Sequence, residues 1–178
     1  RARIREAKNA LGMSRYYEEA RELARRITEW AMGFGNTPRR FVVCSGGGPG
    51  IMEAANRGAA DAGGKSIGLC IQLPHEQGGN PHISPELNFN FHYFFMRKLW
   101  FTQLAKALVV FPGGFGTLDE LFEILTLRQT GKAPEIPIVL FDREYWESVI
   151  NFEALISHGM VKPDDMRLFS YADDAEAV

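Results

Sequence analysis

The sequence predicts an α/β protein whose single domain is a Rossmann-like, doubly wound parallel sheet with helices on both faces. Short apolar runs alternate along the chain with segments whose apolar residues have helical spacing. Two of these runs, at residues 41–44 and 108–111, are followed at once by a glycine-rich turn and then by a helical pattern. Strands that alternate with helices pair in parallel, and such sheets bind ligands at the carboxyl ends of their strands. We therefore expect both glycine turns at one ligand-binding edge.

In the first half of the chain, residues 1–13 are basic and weakly patterned, so they are expected to form an N-terminal arm ahead of a Rossmann-like domain at 14–178. Ser14 is a suitable cap for a long helix that ends at the Gly-Asn-Thr-Pro of residues 35–38. A strand is expected at 41–44, a glycine turn at 45–50 and a helix at 51–62. A second strand is expected at 66–71, a polar loop at 74–86, a short strand at 88–91 and a helix at 93–106.

In the second half, the apolar run 108–111 predicts a strand buried on both faces, and the turn at 112–116 follows it. Helical spacing begins at Leu118 and ends near Gly131. A strand at 136–141 and one helix ending at Gly159 are expected next. The tail, 160–178, is expected to be partly ordered at most.

Composition excludes several classes of protein. A chain of 178 residues can form one well-developed core, and its net charge of −2 makes nucleic acid or an anionic membrane a poor partner. No apolar run approaches the ~20 residues of a membrane helix, and no signal-peptide pattern is present. Cys44 and Cys70 lie in or beside apolar runs, which favours buried free thiols in a reducing cytoplasm.

Each glycine turn, between a strand and a helix N-terminus, is suited to bind an anion, because unpaired backbone N–H groups and the positive end of the helix dipole point at it. Neither turn has the dinucleotide fingerprint or the Gly-Lys-Ser/Thr of a P-loop, which argues against ATP hydrolysis. A single turn of this kind is often only a tight connection. Two of them in one small α/β protein favour a phosphate or nucleotide site.

Several side chains near these turns have both a structural and a functional interpretation. Thr117 and Glu120 match a T-x-x-E capping box, with Thr117 as N-cap, although a carboxylate beside an anion site is also suited to catalysis. Arg97 lies among large apolar residues, where an arginine either extends to solvent or binds a phosphate. Glu76 and Gln77 belong to a polar loop that either recognises a base or ribose or is an ordinary surface loop.

A dense aromatic segment surrounds Arg97 and is too large for one short segment of a small monomer to bury easily. A homodimer or higher homo-oligomer is therefore expected. Its members are Phe89, Phe91, Tyr93, Phe94, Phe95, Trp100 and Phe101.

These motifs resemble the LOG family, the cytokinin riboside 5′-monophosphate phosphoribohydrolases once labelled lysine decarboxylase-like. The family pattern P-G-G-x-G-T-x-x-E is matched in full at residues 112–120, and the family's upstream arginine matches Arg97 in Met-Arg-Lys. The first glycine turn and the helix start after it, residues 46–53, match as well, and the similarity covers roughly residues 14–175. The loop PHEQGGNPH resembles the longer bacterial branch of the family. The family normally opens with a strand and a Gly-Ser turn that residues 1–13 do not contain, so we expect that segment to be missing from this sequence.

The resemblance implies that the N-glycosidic bond of a nucleoside 5′-monophosphate is hydrolysed to free base and ribose 5-phosphate. It implies catalytic roles for Glu120 and Arg97, possible base or ribose contacts from Glu76, Gln77 and Lys98, and no metal or redox cofactor. The residues expected at the phosphate or nucleotide are Gly113, Gly114, Gly116, Thr117, Gly46, Gly47, Gly48 and Met52. AMP and a cytokinin riboside monophosphate both remain candidate substrates. A carrier of the same fold, such as a molybdenum-cofactor carrier, is the alternative, and it would bind a phosphorylated ligand without turnover.

Overall fold

The two compact units of the chain each contain a three-stranded parallel sheet. The computed structural model describes residues 2–34, 41–72 and 78–178, with side chains from residue 12 onward. The units are Arg1–Arg97 and Lys98–Val178, and their sheets have the strand orders β1-β2-β3 and β4-β5-β6. Every pair of neighbouring strands is parallel. The predicted α/β class with parallel sheets and flanking helices is confirmed.

The first unit has a β-α-β arrangement at its centre. Cys44 of the first strand pairs with Ile67 of the second, and Leu69 of the second pairs with Phe89 of the third. The last helix of this unit continues into the second unit. The elements are α1 (Ala2–Met32), β1 (Val43–Ser45), α2 (Ile51–Asp61), β2 (Ser66–Ile71), a 3₁₀ turn (Pro85–Leu87), β3 (Asn88–Phe91) and α3 (Phe94–Leu104).

Helix α1 begins at Ala2, twelve residues before the expected cap at Ser14. Residues 2–13, expected to form an arm, are therefore helical. Their sequence is rich in alanine, arginine, leucine, lysine and glutamate, which have high intrinsic helix propensity even without a clear apolar stripe.

Helices α1 and α2 pack closely at Gly58. A Cβ atom placed on Gly58 would lie 2.0 Å from the backbone oxygen of Arg21 and 3.0 Å from the Cβ of Ala24. Any side chain at position 58 would therefore separate the two helices. Glycine at position 58 therefore permits α1 to pack directly against α2.

The second unit repeats the alternation of strands and helices. Val109 of its first strand pairs with Val139, and Leu140 pairs with Tyr171 of its last strand. Its core is built around Leu121, Leu140 and Trp146, each fully buried. The elements are β4 (Leu108–Val110), α4 (Phe115–Gln129), β5 (Ile138–Phe141), α5 (Arg143–Val149), α6 (Phe152–Ser157), a 3₁₀ helix (Pro163–Leu168) and β6 (Ser170–Ala172).

Two expectations for the C-terminal part were wrong. The tail is ordered, because β6 adds a third parallel strand beside β5 and buries Ala172. The single helix expected up to Gly159 is two helices, since Ile150 is extended and the Asn151 side chain caps the second by accepting a hydrogen bond from the Ala154 N–H at 2.9 Å.

The two cysteines are free thiols, and they differ in burial. Cys70 is buried within β2, as expected. Cys44 is exposed, contrary to expectation: successive residues of a strand point to opposite faces, and Cys44 lies on the face opposite the buried Ser45. Among the described helices, none combines the length and apolar character needed to cross a bilayer.

Candidate functional site

The first glycine turn follows the carboxyl end of β1 and is held by buried hydrogen bonds. Ser45 ends the strand, and its hydroxyl accepts a hydrogen bond from the Gly47 N–H at 3.0 Å. Gly47 has a φ of 75°, and a Cβ there would lie 2.2 Å from the Cys70 Sγ. The turn therefore needs glycine at position 47 both for its backbone conformation and for its close approach to β2.

Asn56 on α2 connects this turn to the sheet and is completely buried. Its Oδ1 accepts hydrogen bonds from the Ser45 hydroxyl at 2.6 Å and from the Asn80 side-chain amide at 2.9 Å. Its Nδ2 donates to the Ser66 hydroxyl at 2.9 Å and to the Ile67 carbonyl at 3.3 Å. Every polar atom of the Asn56 side chain is thus paired, as burial requires.

Asn80, which lies 33 residues after Gly47 in the chain, also holds this turn. Its backbone N–H donates to the Gly47 carbonyl at 2.8 Å, and its side-chain Nδ2 lies 3.2 Å from both the Gly47 and Gly48 carbonyl oxygens. With the carbonyls of Gly47 and Gly48 engaged in this way, the backbone of the turn is fixed before any ligand binds. This is the preorganisation expected of an anion-binding loop.

Met52 and Arg97, both predicted from the sequence, lie beside the same turn. A Cβ on Gly46 would lie 2.7 Å from the Met52 Sδ and 3.9 Å from the Arg97 Nη1. The Arg97 guanidinium carbon is 5.3 Å from the centre of the Phe94 ring, within cation–π range. Burial raises the pKa of the Cys70 thiol, and the positive charge of Arg97 partly opposes that rise. A half-buried cation thus accompanies the first glycine turn.

The second glycine turn follows β4 and leads directly into α4, which begins at Phe115 with Gly114 as its N-cap. The prediction of a capping box with Thr117 as N-cap is wrong, because the N-cap residue is Gly114 and no side chain caps this helix. The Leu118 N–H donates to the Gly114 carbonyl at 3.0 Å. Thr117 lies inside the first turn of α4, where a Cβ on Gly113 would be 2.1 Å from its Oγ1. The threonine hydroxyl therefore occupies the space beside Gly113 and does not cap the helix.

This geometry removes the capping interpretation of Glu120. With α4 beginning at Phe115, Glu120 lies in the second turn of the helix and is half-buried. The segment 113–117 supplies the first backbone N–H groups of a 15-residue helix, which have no partners within the helix and favour an anion.

Lys98, predicted as a base or ribose contact, is engaged by two carboxylates of α4. Its Nζ lies 2.9 Å from the Asp119 Oδ1 and 2.8 Å from the Glu123 Oε2. The hydrogen bonds to Asp119 and then to Glu123 raise the pKa of Lys98 well above its usual range. Lys98 also lines an open groove of about 500 Å³ along α4, together with Phe115 and Phe122.

Glu76 and Gln77, the other predicted base or ribose contacts, lie outside the described residues. Among the side chains that the structure describes, no three histidine, cysteine, aspartate or glutamate residues are grouped closely enough to hold a metal ion.

Sequence reasoning missed three residues that hold the turns: Asn56, Asn80 and Tyr145. The Tyr145 hydroxyl donates a hydrogen bond to the Gly113 carbonyl at 2.9 Å. In the sequence, Asn56 is one amide within the helix expected at 51–62, and no motif marks it. Asn56 faces the strands, since its side chain binds Ser45, Ser66 and Ile67.

The comparisons with known proteins agree with these motifs. The family model described as "Possible lysine decarboxylase" matches residues 52–178. The cytokinin riboside 5′-monophosphate phosphoribohydrolase LOG of Oryza sativa subsp. japonica is 27% identical over 164 residues, covering 90% of this chain and 63% of that protein. The cytokinin riboside 5′-monophosphate phosphoribohydrolase of Rhodococcoides fascians is 30% identical over 125 residues, covering 68% and 60%. The chain thus spans less than two thirds of the length of either relative.

Solved structures share the fold. The crystal structure of TM1055 matches with a TM-score of 0.63 and 23% identity, covering 93% of this chain and 85% of that one. The molybdenum cofactor carrier protein of Chlamydomonas reinhardtii matches with a TM-score of 0.59 and 20% identity, covering 92% and 83%. At these identities the likeness concerns the fold alone. Because the family model covers more than two thirds of the chain and includes the whole Pro-Gly-Gly motif, the chain belongs to the LOG family, described as "Possible lysine decarboxylase".

Proposed function

We propose that this protein is a phosphoribohydrolase that cleaves the N-glycosidic bond of a nucleoside 5′-monophosphate. The observation that carries the proposal is the second glycine turn, where the family motif at 112–120 coincides with the N-terminus of α4 and places Glu120 one helical turn beyond it. The relatives named above as cytokinin riboside 5′-monophosphate phosphoribohydrolases support the reaction class.

In this proposal the 5′-phosphate binds to the backbone N–H groups of Gly113, Gly114 and Gly116 and to the Thr117 hydroxyl. The free N–H groups at the start of α4 and the helix dipole favour its negative charge. For Arg97, Met52 and the first turn at Gly46–Gly48 we propose the role that the family resemblance implies, which is to bind a phosphate or ribose hydroxyls. Fixing the sugar in this way lowers the entropic cost of reaching the transition state.

Glu120 acts on the reacting sugar. The bond between ribose C1′ and the base nitrogen breaks with its electron pair leaving on the base, and the carboxylate stabilises the positive charge that develops on the sugar. A water molecule then forms the new bond to C1′, with Glu120 orienting it and accepting its proton. That proton passes to the departing base, so the products are free base and ribose 5-phosphate.

The first experiment incubates the purified chain with AMP and, separately, with isopentenyladenosine monophosphate, and assays free base and ribose 5-phosphate. We expect product from at least one substrate, and a loss of 10²-fold or more in kcat for Glu120→Gln, on the scale of about 10²–10⁴ that general acid–base catalysis supplies. Glu135→Gln, the same change at an exposed site in the second unit, should keep full activity.

The outcomes separate the proposed enzyme from a carrier. Full activity in Glu120→Gln would contradict the mechanism. Binding of AMP without product from either substrate would instead favour a carrier of phosphorylated ligands, the alternative that shares this fold.

We also propose that the protein is a homodimer or higher homo-oligomer. Helix α3 buries only Thr102 among its residues, while Phe95, Trp100 and Leu104 are 66%, 45% and 60% exposed. Large apolar side chains left exposed on one helix are typical of an interface. Sedimentation equilibrium of the chain and of Trp100→Glu tests this, since the variant should shift the protein toward monomer.

A further inference from the structure

We infer that Tyr145 is a positioning residue for the phosphate turn and sets the orientation of the Gly113–Gly114 peptide. This inference rests on the proposed function, since it assigns the turn to a phosphate. The Tyr145 hydroxyl donates to the Gly113 carbonyl at 2.9 Å, from a residue 32 positions later in the chain. Tyr145 is half-buried, and no role in contacting the substrate is assigned to it.

The peptide geometry explains what this hydrogen bond does. A trans peptide is planar, with its carbonyl and its N–H pointing in opposite directions. Holding the Gly113 carbonyl toward Tyr145 therefore directs the Gly114 N–H away from it. Gly113 has no side chain to restrict its backbone, so this peptide would otherwise rotate easily. Gly114 is the N-cap of α4, which makes its N–H one of the groups placed to meet a phosphate.

The backbone of Tyr145 is held by Asp142, the N-cap residue of α5. Asp142 has a φ of 71° and is the only non-glycine residue with positive φ in the described part of the chain. Its carboxylate accepts a hydrogen bond from the Tyr145 N–H at 3.0 Å, and its own N–H donates to the Ala172 carbonyl at 2.7 Å. A residue held in this sparsely populated conformation by its surroundings points to a functional constraint. Here it turns the chain sharply after β5 so that α5 begins beside the end of β4.

A second donor from α5 makes the connection to β4 rigid. Trp146 is fully buried, and its indole N–H donates to the Val110 carbonyl at 3.3 Å. The rings of Tyr145 and Trp146 meet edge to face, with centroids 5.1 Å apart. Adjacent residues of one helix thus bind the last carbonyl of β4 and the first glycine of the turn.

The test compares Tyr145→Phe, which removes only the hydroxyl, with Tyr171→Phe, the same change at another half-buried tyrosine packed on the same core. Affinities for inorganic phosphate and AMP are measured by calorimetry, and the Gly114 amide resonance is followed by NMR. Loss of one hydrogen bond of ordinary strength corresponds to a change of about fivefold to tenfold.

For Tyr145→Phe we expect that loss of affinity for both ligands, a raised KM with little change in kcat, and a displaced Gly114 amide resonance. Tyr171→Phe should match the unmodified protein in all of these. A purely structural role for the hydroxyl predicts a lower melting temperature with unchanged affinity and an unmoved Gly114 resonance, and that result would overturn the inference.

A second variant covers the case in which Tyr145→Phe does not fold. Asp142→Gly adopts a positive φ without strain but lacks the carboxylate that holds the Tyr145 N–H, so it should weaken phosphate binding in the same direction. Unchanged affinity in this variant counts against the inference.

Binding and turnover separate this inference from the proposed function. If the chain binds phosphate but hydrolyses neither nucleotide, the proposed enzyme fails while the binding comparison still decides the role of Tyr145. If the unmodified chain binds neither phosphate nor AMP, both fail.

Discussion

The Oδ1 atom of Asn56 lies 2.6 Å from the hydroxyl oxygen of Ser45 and 2.9 Å from the side-chain nitrogen of Asn80. One buried amide on α2 therefore joins the end of β1 to the loop that carries Asn80. The first glycine turn lies between these partners. Asn80 donates to its carbonyls, and the Ser45 hydroxyl accepts a hydrogen bond from its Gly47 N–H. The conformation of that turn depends on Asn56, although Asn56 makes no direct contact with the glycines in the described network.

Replacing Asn56 by alanine should destabilise the chain strongly. The change leaves the Ser45 and Ser66 hydroxyls and the Asn80 amide short of partners in a buried region, at a cost of about 3 kcal/mol in the free energy of unfolding. Urea unfolding measures that free energy. Asn90→Ala, at an exposed position of β3, should change it by no more than about 0.5 kcal/mol. Equal effects of the two changes would show that the Asn56 network contributes little.

Gly47→Ala should lower the stability of the chain, and adding Cys70→Ala should recover part of that loss. The new Cβ would meet the Cys70 Sγ at 2.2 Å, whereas the Cys70 Cβ is 3.6 Å away. We expect a loss of about 3 kcal/mol from overpacking and from the positive φ together. Removing the sulfur relieves the clash and leaves the backbone strain.

A double-mutant cycle by urea unfolding measures this repair as a coupling free energy. We expect about 1 kcal/mol or more in favour of the double variant. Strict additivity of the two changes would mean that the turn does not pack on Cys70 as described.

Gly58→Ala should loosen the packing of α1 on α2. Its Cβ would lie 2.0 Å from the Arg21 carbonyl oxygen, so the two helices must separate, at about 2 kcal/mol. Gly12→Ala is the matched control, because that glycine is in α1 with no atom within 4 Å of its Cβ position. The control should gain up to about 1 kcal/mol from helix propensity. Opposite signs in thermal unfolding are the expected result, and a stabilising effect at Gly58 would contradict the close helix contact.

The stability of α1 should depend on pH through Glu22. Hydrogen bonds from Arg25 and then from Arg26 lower the pKa of Glu22 from 4.5 to about 2. Since its pKa is lower in the folded chain than in the unfolded chain, the stabilisation is present above about pH 4.5 and is lost as the pH falls toward 2.

Glu22→Gln should therefore be less stable than the unmodified chain at pH 6, with the difference shrinking toward pH 2. Urea unfolding at a series of pH values checks this, and Glu135→Gln controls for the loss of one negative charge. A difference that stays constant across the series would show that the arginine pairing contributes no stability.

Local sequence patterns were enough to predict the α/β class, most of the strands, both glycine turns and the family. Each of these has a local signal: an apolar run, a glycine cluster, helical spacing, or the contiguous motif at 112–120. Arg97, Met52 and Gly46 were predicted together from motif resemblance, and the structure brings them together at the first turn.

How the turns are held depends on contacts between residues that are far apart in the chain. Thr117-x-x-Glu120 satisfies the local rule for a capping box, yet the helix starts earlier because Gly114 accepts its first hydrogen bond and the Thr117 hydroxyl packs beside Gly113. Strand β6 was missed because three residues carry almost no periodic signal and form a strand only through pairing with β5. Tyr145 contacts Gly113 across 32 residues of sequence, and a hydrogen bond between such distant residues leaves no pattern in the sequence near either one.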